Sequence, residues 1–420
     1  LPVTVKWANG IVVECDGTRI IFDPKASNPA YQNIFITHAH QDHARGFEFQ
    51  SGFKYSTRET YDLVKAVKNR QIQHWKPISY NQTIEVNDLE IEAFNAGHIL
   101  GSAQYKVTSP DGVVVYTGDV NTANTLTNEA ADIVKCDILI IEATFGSPEL
   151  IFPSESESST QAIRWAIKTL KHRRIPAFQC DHIGNAQELI RIFNSLTTVP
   201  VVTHPAVTRI NRVYESYGHK LSYVDAGSEE AKNLLSSKRC VFIASKNSNL
   251  QNNADFEVAL ASGLALRLGW NSKYFLLSDH ADFHHLLKYV IGSNPRIVLP
   301  CHGGLLNGRF AKHVRDRLKI EAHPLGTEPT MLIPKDGKIR IRACERTVLM
   351  VMRMPGFEYP INWIVEQVTP LGFSDAEVKE ALRRLAGKGL LKPFRGTEVY
   401  ELKNSDYLVD KTESPTGSRP

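Results

Sequence analysis

The chain has 420 residues, 42% of them hydrophobic and 22% charged, with a formal net charge of +4. That length exceeds one ordinary core and calls for two or three domains, and the composition is that of a globular protein rather than a disordered one. A net charge of +4 is too small to announce a nucleic-acid binder, so local clustering has to carry any such argument. No stretch approaches the length needed to span a bilayer, so no membrane partner is expected. No secretory leader pattern opens the chain, and a start at Leu1 rather than Met points to a native start further upstream. Cys15, Cys136, Cys180, Cys240, Cys301 and Cys344 form no C-x-x-C pair and lie beside apolar runs. They read as buried free thiols of a reducing compartment, the cytoplasm.

Residues 3–23 give two strand signals, VTVKWANGIVVECDG and TRIIFDP, with Asn9-Gly10 and Asp16-Gly17 as turn dipeptides. They predict an opening β-hairpin, closed by Asp23 before Pro24. Residues 33–37, NIFIT, predict a short buried strand that runs straight into His38-Ala39-His40-Gln41-Asp42-His43. Four metal-capable side chains within six residues, just past a strand end, suit a loop that curls inward. His38 and His40 then serve one cation, Asp42 and His43 another, and imidazole with carboxylate is a ligand set that zinc prefers. Residues 56–70 predict a helix capped by Ser56 or Thr57.

The pattern of an apolar strand ending in a ligand then repeats. Strands around 83–95 end at AGHILGSAQ, which places His98 beside glycine as a third imidazole for the first cation. Residues 113–119, VVVYTGD, end at Asp119, whose carboxylate can bridge two cations about 3.5–4 Å apart. Residues 137–146, DILIIEATFG, form a buried strand around Glu142, and a buried glutamate needs a partner.

The phrases HAHQDH, AGHILGSAQ, YTGD and IEATFG resemble the metallo-β-lactamase superfamily, and within it the β-CASP nucleases. The resemblance covers residues 11–325. It implies an α/β fold: an αββα sandwich with an inserted β-CASP α/β cap. Residues 1–147 and 272–344 would form the lactamase domain and 148–271 the cap. The cap reading has its own support in residues 159–271. There the helix-periodic STQAIRWAIKTLK is followed by strand–helix alternation through IPAFQC and GNAQELIRIF, VPVVTH and TRINRVYESYG, and RCVFIA and ADFEVALASG, as in an open parallel sheet. Cys180-Asp181-His182 stand where related chains usually carry small apolar residues.

The resemblance also assigns roles. Asp23 would buttress the histidine loop by hydrogen bonding from behind. Glu142 matches the first extra β-CASP motif, His280 in YFLLSDHADFHH the second, and His302 in RIVLPCHGG the third. The ligand sets become His38, His40, His98 and Asp119 for one metal, and Asp42, His43, Asp119 and His302 for the other. Asp42 and Asp119 would hold and orient the attacking water. His280, pinned by Glu142, would protonate the leaving oxygen or steady the phosphate. His284 and His285 read as ordinary surface or packing residues. Two divalent ions are implied, zinc first, with Mn2+ or Mg2+ as alternatives for activity.

Residues 329–343 predict a hairpin around Asp336-Gly337. Residues 345–403 read as a separate unit similar to a winged helix, with helices at 347–354 and 362–368. A capping box, Ser374-Asp375-Ala376-Glu377, opens a helix that runs to Gly387, and LKPFRGTEVYEL supplies the wing. Six basic side chains against one acidic lie in 379–395. Lys379, Arg383, Arg384, Lys388 and Arg395 are therefore candidate phosphate contacts, with a solvated helix face or a protein-contact role as the alternative. The polar tail 404–420 reads as disordered.

The implied function is metal-dependent hydrolysis of phosphodiester bonds. The phrases LSDHADF and AGHILGSAQ lean toward 5′-3′ exonuclease action on single-stranded or end-containing DNA in processing or repair. His302 pulls toward RNA enzymes of the RNase J or 3′-end processing type, which usually carry His there, whereas the Artemis-type DNA enzymes usually carry Val. A small-molecule metallo-hydrolase would need neither cap nor C-terminal unit.

Overall fold

The computed structural model describes all residues except 1, 69–70, 251–252, 264, 269–272, 333–336, 353–355, 395–397 and 404–420. Two seven-stranded sheets pack face to face. The first runs, in order across the sheet, through Thr330–Met331, Thr4–Trp7, Ile11–Cys15, Thr18–Phe22, Asn33–Phe35, Phe53–Ser56 and Trp75–Pro77. The opening segment is thus a three-stranded antiparallel meander rather than the expected two-stranded hairpin. The Asn9-Gly10 turn splits the first apolar run in two, and both halves have a neighbour to pair with. The second sheet runs through Glu321–Ala322, Ile297–Cys301, Ile138–Glu142, Gly112–Tyr116, Ala103–Ser109, Leu89–Asn95 and Thr83–Val86.

Alternate residues of both sheets face inward and form one core, including Val13, Ile20, Phe22, Phe35, Tyr105, Val114, Tyr116, Ile138 and Leu299. Phe22 lies at its centre, with ring centroids of Phe35 at 5.5 Å, Tyr105 at 5.5 Å and Tyr116 at 5.6 Å. Tyr105 and Tyr116 reach polar groups at the end of this core, where the hydroxyls bond Ile36 O and Asp23 Oδ2. Outside the sheets, the helix Arg58–Lys68 buries Thr60, Leu63 and Val64, an i, i+3, i+4 face. Thr57 Oγ1 accepts from the Thr60 amide at 3.2 Å, which makes Thr57 its cap.

The three strands Gly112–Tyr116, Ile138–Glu142 and Ile297–Cys301 are parallel neighbours, so their carboxyl ends leave the sheet on one edge. Asp119, Glu142 and His302 occur at or just past those ends. The loop after Asn33–Phe35 carries His38–His43 to the same edge, and His98 follows Leu89–Asn95.

Between these strands the chain builds a six-stranded, wholly parallel sheet in the order Val224–Asp225, Val201–Thr203, Val241–Ser245, Ile175–Cys180, Phe256–Ala261 and Tyr274–Phe275. Helices Glu155–Lys171, Asn185–Leu196, Pro205–Ser216 and Glu229–Ser237 connect or flank it. This is the cap sheet that the alternation predicts, with two corrections, the first being that its edge strand Tyr274–Phe275 lies past the boundary expected at residue 271. ADFEVALASG, expected as a helix, contributes the strand Phe256–Ala261. It pairs with Ile175–Cys180 over Ile175 to Gln179, and this pairing overrides the helix propensity of its alanines and leucine. Gly184 opens Asn185–Leu196 as expected, and Ser154 with Glu157 forms a full capping box on Glu155–Lys171.

After Ile297–Cys301 the chain returns along the sandwich. The hairpin expected at 329–343 is absent from the described residues. Thr330–Met331 instead pairs with the first strand, and residues from Gly337 form the helix Gly337–Val351. Its stripe Ala343, Cys344, Val348 lies in a separate core with Ile364, Val378, Leu382 and Leu391. With Ile361–Val368, Asp375–Gly387 and the antiparallel strands Glu358–Pro360, Val399–Leu402 and Leu391–Pro393, it makes three helices and a small sheet. The turn at Arg395-Gly396 lies outside the described residues. Arg346 ties this unit to the sandwich through an ion pair with Asp111, whose other oxygen accepts from the Val3 amide at 3.0 Å. All six cysteines are buried, and none is in a disulfide. No helix among the described residues is long and apolar enough to cross a membrane.

Candidate metal centre

The loop 37–43 is fixed from behind by one carboxylate. Asp23 Oδ1 accepts from the Thr37 amide at 2.9 Å. Its Oδ2 accepts from Thr37 Oγ1 at 2.7 Å, His43 Nδ1 at 2.7 Å and Tyr116 Oη at 3.0 Å. Asp23 itself is buried and sits at a φ of +47°, the left-handed conformation that aspartate tolerates better than most residues. The Thr37 hydroxyl, its proton committed to Asp23, accepts from His38 Nδ1 at 3.0 Å. These bonds put a proton on the outer nitrogen of His38 and of His43 and turn both Nε2 atoms inward.

His98 and His40 are fixed the same way. A carbonyl oxygen can only accept, so His98 Nδ1 donates to Asp279 O at 2.9 Å and His40 Nε2 donates to Ile183 O at 3.2 Å. Their inner nitrogens, His98 Nε2 and His40 Nδ1, then hold bare lone pairs 3.1 Å apart. Two such lone pairs repel unless a cation lies between them. The Nε2 atoms of His38, His43 and His302 are buried with no hydrogen-bond partner among the described residues. Asp119 Oδ2 stands among the imidazoles, 3.5 Å from His38 Nε2, 3.5 Å from His43 Nε2 and 3.9 Å from His98 Nε2. Its Oδ1 is 3.3 Å from His302 Nδ1. The residues present fit divalent metal binding.

His38, His40, His98 and Asp119 bring one donor atom each within 4.8 Å of one another, and so do His43, Asp119 and His302. Asp119 belongs to both groups, as the sequence expects of a bridging carboxylate. Asp42 lies at the margin: its side chain is 70% exposed, with Oδ2 3.4 Å from His43 Nε2 and 3.9 Å from Lys25 Nζ. The Lys25 ammonium also donates to Asp42 O.

Charge in the cluster follows burial and neighbours. Burial and adjacent imidazoles push His38 well below the usual histidine range, and burial pushes His98 down, so both are neutral, the form that binds metal. Burial also works against a charge on Asp119, but His43 and the hydrogen bond from His302 override it and hold the carboxyl well down. His43 is likewise opposed by burial yet raised to about 10 by Asp119 and Asp23. The carboxylates thus demand positive charge, which a proton on His43 supplies in part and a metal ion would supply more fully.

Beside the cluster, His280 Nδ1 lies 2.9 and 3.0 Å from the two oxygens of Glu142. Glu142 is fully buried, and its Oε1 also accepts from the Val120 amide at 2.7 Å, which steadies the backbone next to Asp119. Burial pushes His280 down, but Glu142 overrides it and keeps the imidazolium. The partner that a buried Glu142 needs is therefore His280, brought from 138 residues away. Asp279, which the sequence reading passed over, lines the same cleft with its Oδ1 3.7 Å from His280 Nε2. Its signal was available in the acidic phrase SDHAD. His284 is exposed, and His285 Nδ1 pairs with the helix cap Asp282 at 2.7 Å, so neither joins the site. The cleft holds about 930 Å³ between sandwich and cap, lined on the cap side by Asp181, His182, Asn185 and Lys246. Asp181 and Lys246 form an ion pair on that side.

The basic C-terminal candidates are arranged differently. Glu345, 5% exposed, takes Arg384 on Oε1 at 2.7 Å and Lys388 on Oε2. Arg383 pairs with Glu380 at 2.8 Å. Lys379 is exposed, and Arg395 lies outside the described residues.

Residues 17–177 match the Beta-lactamase superfamily domain. The sandwich and the histidine–aspartate cluster agree with that match, so the chain carries a domain similar to those of the metallo-β-lactamase superfamily. Its relatives support the resemblance to the β-CASP branch carried by the phrases AGHILGSAQ and IEATFG. It is 31% identical over 245 residues to an "RNase J-like protein" of Methanocaldococcus jannaschii, covering 49% of this chain and 58% of the relative. It is 27% identical over 341 residues to a "Probable DNA ligase" of Opitutus terrae, covering 78% of this chain and 32% of that one. A "Transcription termination factor FttA" of Methanococcus maripaludis is 27% identical over 52% of this chain and 40% of its own length. The chain therefore spans 58% or less of these relatives. A solved structure, a protein of unknown function from Enterococcus faecalis, matches the fold with a TM-score of 0.57 at 15% identity, over 79% of this chain and all of that one.

Proposed function

We propose that the chain is a two-metal nuclease that hydrolyses phosphodiester bonds of single-stranded DNA, acting 5′-3′ from an end, with zinc as the resident metal. The observation that carries this reading is Asp119, shared by two groups of imidazoles in which the Nε2 atoms of His38, His43 and His302 have no hydrogen-bond partner among the described residues, with the Glu142–His280 pair beside it. His38, His40, His98 and Asp119 would hold one ion, and Asp42, His43, Asp119 and His302 the other. Bound there, such a pair lowers the pKa of a water and neutralises charge on a phosphate.

The chain's own groups supply the rest. Asp119 and Asp42 orient the attacking water. His280, anchored through Nδ1, presents Nε2–H to the cleft and gives that proton to the leaving oxygen, while Glu142 stabilises the cation before transfer. The preference for DNA is supported by the relative named as a DNA ligase, whose match extends over 341 residues. RNA is the second reading, favoured by His302 and by the RNase J-like relative. In the C-terminal unit the engagement of Arg384 and Lys388 by Glu345 favours protein contact over phosphate gripping.

The deciding experiment is to incubate zinc-loaded protein with 5′-phosphorylated single-stranded DNA and RNA of the same sequence. The expected result is faster shortening of the DNA from its 5′ end. Faster RNA turnover would give the second reading, and no cleavage of either with zinc, manganese or magnesium would end the nuclease proposal.

A further inference from the structure

His40 differs from the other imidazoles of the cluster in who holds it. The outer nitrogens of His38 and His43 are held by Thr37 and Asp23, which flank sandwich strands, and that of His98 by Asp279, in the segment that leads from the strand Tyr274–Phe275 to the helix Phe283–Ser293. His40 alone among these donates to the cap, at Ile183 O. That carbonyl sits in the turn between Ile175–Cys180 and Asn185–Leu196, and the turn has little freedom. Gly184 is at a φ of +92°, and a Cβ there would come within 2.5 Å of Ile99 Cγ2 and 2.9 Å of Asp279 Oδ2. The Ile183 side chain is buried in one cluster with Ile36, Ala39, Ile99 and Leu100, so the turn also packs on the neighbours of His98.

The helix that follows is latched a second time. Glu188, 6% exposed, spends both oxygens on the loop after Asp119: Oε1 accepts from the Leu126 amide at 2.9 Å and Oε2 from Thr127 Oγ1 at 2.6 Å. Gln187 Oε1 accepts from the Gly184 amide at 2.9 Å and so ties turn to helix. One short stretch of the cap thereby bonds His40, packs beside His98 and braces the loop leaving Asp119.

We propose that residues 183–188 are a positioning element of the metal centre, so that docking of the cap and metal affinity at the His38, His40, His98 and Asp119 cluster are one coupled equilibrium. This rests on the metal reading above. A donor imidazole whose outer N–H loses its acceptor is free to turn, and loss of such an acceptor costs about 10–100-fold in metal affinity. The coupling is reciprocal: if the docked cap strengthens metal binding, metal must strengthen docking of the cap by the same factor. The cap therefore cannot swing away from a loaded site without loosening one of its ligands.

Hydrogen exchange on the full-length wild-type chain, metal-free and zinc-loaded, tests the coupling. Zinc should slow amide exchange both in 38–43 and, at a distance, in 183–188 and 126–127. Zinc protection confined to 38–43 would overturn the coupling and leave the metal reading standing. Protection at neither place would remove the metal reading and the coupling with it. A second measurement uses Glu188→Gln, which keeps the shape but not the charge of the latch. It should weaken zinc in a chelator competition by about 10-fold or more, and it should alter the visible absorption of the cobalt-substituted protein, which reports ligand geometry. Lys238→Ala, which removes an ion pair with Asp255 inside the cap, should change neither. Wild-type affinity and an unchanged cobalt spectrum in Glu188→Gln would refute the proposal.

Discussion

The metal centre and the C-terminal unit both bury acids beside basic groups, but they treat the charge in opposite ways. At Glu345 each oxygen has its own cation, Arg384 on one and Lys388 on the other. Around Asp119 three buried imidazole nitrogens, on His38, His43 and His302, find no hydrogen-bond partner among the described residues. Burying polar atoms without partners costs free energy. A fold keeps them only where something else is to complete them. A count of charged residues does not locate a site, whereas the pairing of those residues does.

The comparison breaks most severely if Asp119 is dispensable. Asp119→Ala should lose at least one metal equivalent and all measurable cleavage while the fold persists, as read by metal analysis, turnover and circular dichroism. Full activity in exhaustively chelated wild-type protein would remove the metal from the mechanism.

Next in size is His280. Its replacement by Ala should keep both ions and cut the rate by about 10²–10⁴-fold. Glu142→Gln should lose less, since Gln still accepts from the Val120 amide. A His280→Ala protein that loses an ion, or cleaves at the wild-type rate, would show that the imidazole has a different job.

A smaller effect is expected on the other side. Glu345→Gln leaves Arg384 and Lys388 without their anion, and thermal melting should show a loss of about 1–2 kcal/mol, reduced from a fully buried pair because both cations are partly in water. Turnover of a short oligonucleotide should be unchanged. Tighter binding of long DNA by this variant would show that the freed cations can reach phosphates after all.

The smallest effect concerns acid. Hydrogen bonds from Arg340 and from the Ser374 cap hold the Glu377 carboxyl at about 2, below the usual value near 4.3. A depressed acid contributes stability that is complete above its unfolded pKa and fades as pH falls toward the folded one. Glu377→Gln should therefore lower stability by about 1 kcal/mol at pH 7 and by progressively less below pH 4, the shift being discounted for solvent screening. A variant equally destabilised at pH 7 and pH 2.5 would assign the loss to shape rather than charge.

Much of the site was legible because metal ligation needs particular donors at strand ends, and HAHQDH, His98, Asp119 and His302 supply them. The Glu142–His280 pair was legible from the cost of a buried charge together with the family phrase. Thr37 and Tyr116 were not, because their role lies in the direction of a hydroxyl across a folded core, and nothing in FITH or VVYTG encodes that direction. The bond from His40 to Ile183 was hidden for a similar reason: its acceptor is a backbone carbonyl, which every residue has. The strand Phe256–Ala261 and the helix from Gly337 were misread because their local patterns are weak and their neighbours decide. The basic run 379–395 was read correctly as a run, but its partner Glu345 sits on another helix.

Asp23 has a consequence for how the chain reaches this state. Its carboxylate can be buried only when donors from two separate places have arrived: Thr37 and His43 from the loop, and Tyr116 from the opposite sheet. Until then the charge has no home in the core, and a chain whose two sheets met in the wrong alignment would leave it stranded. The bonds that set the tautomer of His43 are thus the same ones that let the halves of the sandwich close. Correct assembly and chemical competence are tested at a single atom, Oδ2, and a misassembled molecule pays for its error in stability before it can bind metal in the wrong geometry.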